Sequence, residues 1–135
     1  MKIVLDTNCL LPSVFPRSKY HWIWRSFRNG NFTLCYSNEI ITEYEELLSN
    51  LYPSDITKNT IFLLLTSRNV EKVIPYFQWN LISADPDDNK FVDAAFNANA
   101  DYIVTNDKHF NALKKIDFPK INVIDIDTFK EIIKH

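Results

Sequence analysis

What this 135-residue chain has little of narrows it first. Its two cysteines, Cys9 and Cys35, are too few and too differently placed for a disulfide framework or a soft-metal site, so two reduced, buried thiols are expected. Long apolar runs are missing: Ile3-Val4-Leu5 is broken at once by Asp6. That excludes a signal peptide or membrane span there and points to a cytoplasmic protein with no membrane partner. No low-complexity stretch, linker or internal repeat interrupts the sequence, so residues 1–135 are expected to form one domain. At 46% hydrophobic and 24% charged residues, the composition is that of an ordinary soluble globular protein rather than a disordered one.

Basic charge is not in excess either. A formal charge of −2 argues against a general nucleic-acid coat. Acidic residues, however, are absent between Thr7 and Asn38, where Arg17, Lys19, Arg25, Arg28 and His21 fall. This local positive field keeps a phosphate-bearing partner in view. Tyr20, Trp22, Trp24 and Phe27 interleave with those cations. They suit stacking of unpaired bases, as in single-strand binders. Packing of the rings on a helix while the cations stay wet is the favoured reading for most of them.

The coarse pattern alternates strands with helices. Lys2–Leu5, Phe32–Tyr36, Val70–Tyr76, Tyr102–Thr105 and Asn122–Ile124 read as strands, with a polar loop at Asp6-Thr7-Asn8. Helices are expected from Tyr20 to Phe27, stopped by Asn29 and the single glycine Gly30, and from Ser37 or Asn38 to Leu51, closed by Pro53. Further helices are expected from Ser54 or Asp55 to about Asn69, Asn89 to Asn99, Lys108 to Lys114, and Asp127 to Lys134. Such alternation implies parallel crossovers and a helix-covered sheet, an α/β fold.

Four carboxylates then stand out. Asp6 closes a buried-type strand, where a charge costs several kcal/mol unless compensated. Asn8, two residues on, suits turn chemistry or an outer-shell role at a metal. Asp107 follows the strand at Tyr102–Val104, with Thr105 and Asn106 beside it. On the Asn38–Leu51 helix, Ile40, Ile41, Tyr44, Leu47, Leu48 and Leu51 form an apolar stripe, and Glu43 lies at its edge while Glu39, Glu45 and Glu46 lie further toward solvent. On the Asn89–Asn99 helix, Phe91, Val92, Ala95 and Ala98 define the stripe; Asp88 projects along its centre and Asp93 almost oppositely. Asp88 is thus the preferred ligand of this third block, Asp93 the second choice, and Asp85 or Asp87 a helix cap. Like charges about 4 Å apart repel by roughly 4 kcal/mol per pair at an effective dielectric near 20, so a cation is expected among them. A hard ion such as Mg²⁺ or Mn²⁺ takes oxygen ligands of this kind.

The blocks Ile3–Asn8, Glu39–Tyr44, Asp85–Phe91 and Ala100–Asp107 resemble, in order and interval, the four acidic blocks of PIN-domain nucleases. The similarity is greatest to VapC-like toxin components of bacterial toxin–antitoxin pairs and covers essentially the whole chain. It implies a three-layer α/β/α sandwich around a mostly parallel five-stranded sheet. It also implies a Mg²⁺- or Mn²⁺-dependent endoribonuclease, usually dimeric and often neutralised by an antitoxin. Asp6, Glu43, Asp88 and Asp107 would be both metal-binding and catalytic, with Asn8 and Thr105 in the outer shell; many relatives place an aspartate near Asn89. Metal-assisted hydrolysis needs no histidine, and His109 reads either as a substrate contact or as a solvent-facing helix residue. Two other readings use the same acids: phosphotransfer to Asp6, weakened by Asn8 where related phosphatases carry an aspartate, and a non-catalytic RNA- or antitoxin-binding module.

Overall fold

In the computed structural model, which describes residues 1–82 and 85–134, the strands are short, and the central ones are deeply buried. β1 (Lys2–Leu5) carries Ile3, Val4 and Leu5 at no more than 1% exposure. A continuous apolar run of this kind belongs to a parallel strand covered on both faces. β2 (Thr33–Tyr36), β3 (Val70–Lys72), β4 (Tyr102–Val104) and β5 (Val123–Ile124) complete a sheet of order β3-β2-β1-β4-β5. Every neighbouring pair is parallel; Ile3 lies opposite Tyr102, and Leu5 opposite Val104.

The intervening helices are α1 (Thr7–Ser13), α2 (His21–Arg28), α3 (Asn38–Leu51), α4 (Ser54–Thr66), α5 (Asn89–Ala98) and α6 (Ile126–Lys134). The chain steps outward from β1 to β2 and β3, then returns through α5 to β4 on the other side of β1. Right-handed crossovers therefore put helices on both faces of the sheet, the expected three-layer α/β/α architecture. One layer is knit by Trp22 on Phe129 and by Phe27 and Phe129 on Phe32, another by Phe91 against Phe110. The reversal at β1 matters because open parallel sheets bind ligands beyond the strand ends where the order switches. Asp6 and Asp107 follow the two strands that meet there.

Local signals account for most boundaries. The Ser37 side chain accepts a hydrogen bond from the Ile40 N–H at 3.3 Å and starts α3. Gly30 takes φ +78° just after α2, where its N–H reaches the Phe27 carbonyl at 3.0 Å. Three expectations change. Thr7 and Asn8 are not in a loop but open α1, a two-turn helix concealed by Pro12 within it. The strand expected at Val70–Tyr76 spans only Val70–Lys72; the Val73 N–H still reaches the Tyr36 carbonyl at 2.7 Å, and the chain then leaves the sheet. Lys108–Lys115 coils as a 3-10 helix, like Pro86–Asp88 before α5.

Both cysteines are buried free thiols; burial first, and the Asp6 charge next, push the Cys9 thiol up to about 12. Tyr44, fully buried in α3, donates its hydroxyl to the Leu5 carbonyl and so ties the helix bearing Glu43 to the strand bearing Asp6. Tyr44→Phe is expected to lower the urea unfolding free energy by about 1–2 kcal/mol with an unchanged m-value. A loss below about 0.5 kcal/mol would mean that this bond does not anchor α3.

Candidate functional site

Asp6 continues β1, its N–H bonded to the Val104 carbonyl at 3.1 Å, and is only 4% exposed. One carboxylate oxygen accepts the Thr105 hydroxyl at 2.7 Å. Burial pushes this carboxyl above the usual range; Thr105 and the Asn8 amide oppose that, and the charges of Asp107 and Glu43 add to it. Thr105 also positions the next acid, since its oxygen receives the Asp107 N–H at 3.0 Å. Asp107 in turn accepts the His109 N–H through Oδ1 at 2.9 Å, which starts the 3-10 turn. The cap reading of Asp107 thus holds for one of its two oxygens.

Glu43 reaches the same edge from α3. It is part-buried, whereas Glu39, Glu45 and Glu46 are exposed, as the helical angles indicate. Its Oε2 accepts the Thr7 hydroxyl and its Oε1 lies 2.9 Å from the Lys90 ammonium.

Asp88, just before α5, is the least compensated acid. Its side chain is 14% exposed, yet Oδ2 is buried and hydrogen-bonds to nothing among the described residues. Burial, then the charges of Asp85, Asp107 and Asp6, push this carboxyl up to about 7, with His109 pulling the other way. His109 Nδ1 stands 3.8 Å from Asp88 Oδ2 and 3.5 Å from Asp107 Oδ1. Asp85, Asp88 and His109 offer ligand atoms within 4.8 Å of one another, although one Asp85 oxygen also receives the Asp87 N–H at 3.2 Å as a cap. Hard oxygen donors, mutual repulsion and a buried oxygen without a donor together suit a hard divalent cation.

The remaining candidates lie elsewhere. Asp93 is not on a solvent face: it is 7% exposed because the extended chain after β3 crosses that side of α5, and its carboxylate accepts the Trp79 N–H at 2.9 Å. The acid that raises its pKa, after burial, is Glu39, with which it lines a separate cleft. Asn89 turns away from the acids and bonds both the N–H and the carbonyl of Ile82, at 2.8 and 2.9 Å. Asn8 is exposed on the first turn of α1. Thr7, Asp85, His109 and Lys90 enter the surroundings of the acids; Thr7 and Lys90 were legible only as neighbours in sequence of Asp6 and Asp88. Among the interleaved aromatics, Phe27 is buried and Tyr20, Trp22 and Trp24 pack against the core, so the packing reading prevails. Arg28 reaches Ser67 beyond the end of α4, near the opposite end of the sheet from the acids. A polar cleft of about 460 Å³ instead opens beside Asp107, lined by Lys108, Asn111, Lys114, Asp125 and Thr128 among others.

The family model of the PIN domain matches residues 2–109. Among solved structures, the chain is similar to one in the crystal structure of VapBC2 from Rickettsia felis bound to a DNA fragment from their promoter. That similarity has a TM-score of 0.63 at 15% identity and covers 93% of this chain and 98% of that one, a likeness of fold. No curated protein sequence matches.

The Asp88 carboxyl makes the metal-free protein sensitive to pH. Its pKa rises from 3.8 to about 7 on folding, so the folded chain keeps a proton that the unfolded chain releases between those values. Stability therefore falls as pH rises through that window. In chelator-treated protein at pH 8, Asp88→Asn is expected to raise the unfolding free energy by roughly 1–2 kcal/mol after screening, and the gain should vanish near pH 4. A pH-independent effect would contradict the assignment.

Proposed function

Because the chain belongs to the PIN domain family, we propose that it is a Mg²⁺- or Mn²⁺-dependent endoribonuclease whose centre is built from Asp6, Glu43, Asp88 and Asp107. The supporting observation is the buried Asp88 Oδ2, left without a donor beside carboxylates whose charges act on it. A divalent ion, when bound there, supplies a water of lowered pKa and positive charge for the phosphodiester oxygens.

The chain's own residues do the rest. Thr105 holds Asp6 by one oxygen and Asp107 by its N–H, fixing the separation of the two strand-end acids. The His109 N–H holds Asp107 through Oδ1 alone. In the cleft beside Asp107, Lys108 and Lys114 face a position where the phosphates of a single strand can lie. His109, half exposed between Asp88 and Asp107, borders the same place.

The same reading includes a toxin role within a toxin–antitoxin pair in the cytoplasm, with an antitoxin protein and a second copy of the chain as partners. The likeness in fold to VapBC2 from Rickettsia felis, captured on a DNA fragment from its promoter, supports a pair of this type. Here an apolar groove of about 670 Å³, lined by Val14, Phe15, Trp24, Leu51, Ile56 and Leu63 among others, offers surface for such a partner. No described helix is long and apolar enough to cross a membrane.

The test is cleavage of total and synthetic single-stranded RNA, with DNA in parallel. Cutting is expected with Mg²⁺ or Mn²⁺, to stop with EDTA, and to fall by at least about 10³-fold in Asp6→Asn, which removes a charge from the metal's surroundings. EDTA-resistant cutting, or an active Asp6→Asn, would refute the metal centre. Formation of an acyl-phosphate on Asp6 would shift the reading to phosphotransfer.

A further inference from the structure

On the reading that an RNA strand lies in the cleft beside Asp107, we infer that the rings of Tyr76, Phe77 and Phe118, on the outer flank of α5, form a platform on which its unpaired bases stack.

The extended segment after β3 is strapped to α5 by polar side chains of the helix. Asn89, Asp93 and Asn97 follow one another at intervals of four residues, on one helix face. Each holds the main chain of the strap. Asn89 bonds both polar groups of Ile82, Asp93 accepts the Trp79 N–H at 2.9 Å, and Asn97 takes the Phe77 N–H and carbonyl at 3.3 and 3.1 Å. Trp79 then packs edge-to-face on Phe96 and Phe118, with ring centroids 5.0 and 5.8 Å apart, and Phe77 packs on Phe96 at 5.8 Å. These contacts fix the rings but leave their outer sides open: Tyr76 is 80% exposed, Phe77 61% and Phe118 75%. Scattered exposed apolar residues need no explanation, whereas rings gathered and held in one patch mark an interaction surface.

Charge identifies the partner. Residues 72–82 and 108–122, which carry the exposed rings, hold Lys72, Lys108, Lys114, Lys115 and Lys120 against Asp117 alone, in a chain of formal charge −2. Lys115 and Lys120 stand within three residues of Phe118 and are exposed. Lysine is depleted at protein–protein interfaces, while cations beside open rings suit the phosphates and bases of a single strand. The surface is also continuous with the cleft beside Asp107: Lys114 lines that cleft, and Phe118 follows four residues later. Phe96, beneath the platform, lies eight residues from Asp88, about 12 Å along α5, so one strand can meet both the acids and the rings.

Fluorescence anisotropy of a labelled single-stranded RNA oligonucleotide of mixed sequence, titrated with the full chain in EDTA, tests this apart from metal-dependent cleavage. Phe77→Ala and Phe118→Ala, both at exposed positions, are each expected to weaken binding by at least about fivefold with the salt slope unchanged, and Phe118→Tyr to retain it. Lys115→Glu combined with Lys120→Glu should instead flatten the salt dependence. Unchanged affinity in folded Phe77→Ala/Phe118→Ala, or an equal loss on duplex RNA, would overturn the platform and leave the nuclease reading intact. Sedimentation showing that these variants split a dimer at unchanged RNA affinity would overturn it in favour of a contact between copies. Absence of binding by the unmodified chain would also overturn it, with cleavage in Mg²⁺ deciding the nuclease reading separately.

Discussion

Repulsion among carboxylates at the C-terminal edge of the parallel sheet is the constraint that the surrounding structure answers. Asp6, Glu43, Asp88 and Asp107 arrive from two strand ends and two helices; the charges of Asp107 and Glu43 raise the cost of ionising Asp6, and those of Asp107 and Asp6 the cost of ionising Asp88. Such a group does not assemble from propensity. It is held together by burial of the strands beneath it, by Tyr44 tying α3 to β1, and by the packing of α5 across β1, β2 and β4.

The compensation is graded, and its gradient carries chemical meaning. Glu43 has a lysine and a hydroxyl, Asp6 a buried hydroxyl, Asp107 a main-chain N–H, and Asp88 Oδ2 nothing among the described residues. An unsatisfied buried polar atom costs about 1–3 kcal/mol, and on the proposed reading a bound cation would remove that cost at Asp88. Perturbed carboxylates of this kind cluster at functional sites.

Much of this is legible in the amino-acid order alone. Ile3-Val4-Leu5 and Tyr102-Ile103-Val104 announce buried strands, and alternation with helices announces the parallel sheet. Helical angles separate Glu43 from Glu39, Glu45 and Glu46 because α3 exposes one side to water. The same reasoning misjudges Asp93, since α5 is covered on its second side by the extended segment after β3, a long-range contact that no local period encodes. Thr7 is hidden because α1 is only two turns long and contains Pro12. Lys90 reads as one more solvated lysine until α3 and α5 are brought together. The Arg25 and Arg28 patch looks relevant by composition, yet chain direction carries it to the opposite end of the sheet, and the basic residues in the cleft beside Asp107, Lys108 and Lys114, are spread thinly in the sequence.

Whether the acidic edge is a metal centre is most directly decided by anomalous scattering from a crystal grown with Mn²⁺. The expected result is a peak bonded at about 2.1–2.2 Å to carboxylate oxygens from among Asp6, Glu43, Asp88 and Asp107. A peak elsewhere on the molecule, or none at that edge at millimolar Mn²⁺, would contradict it.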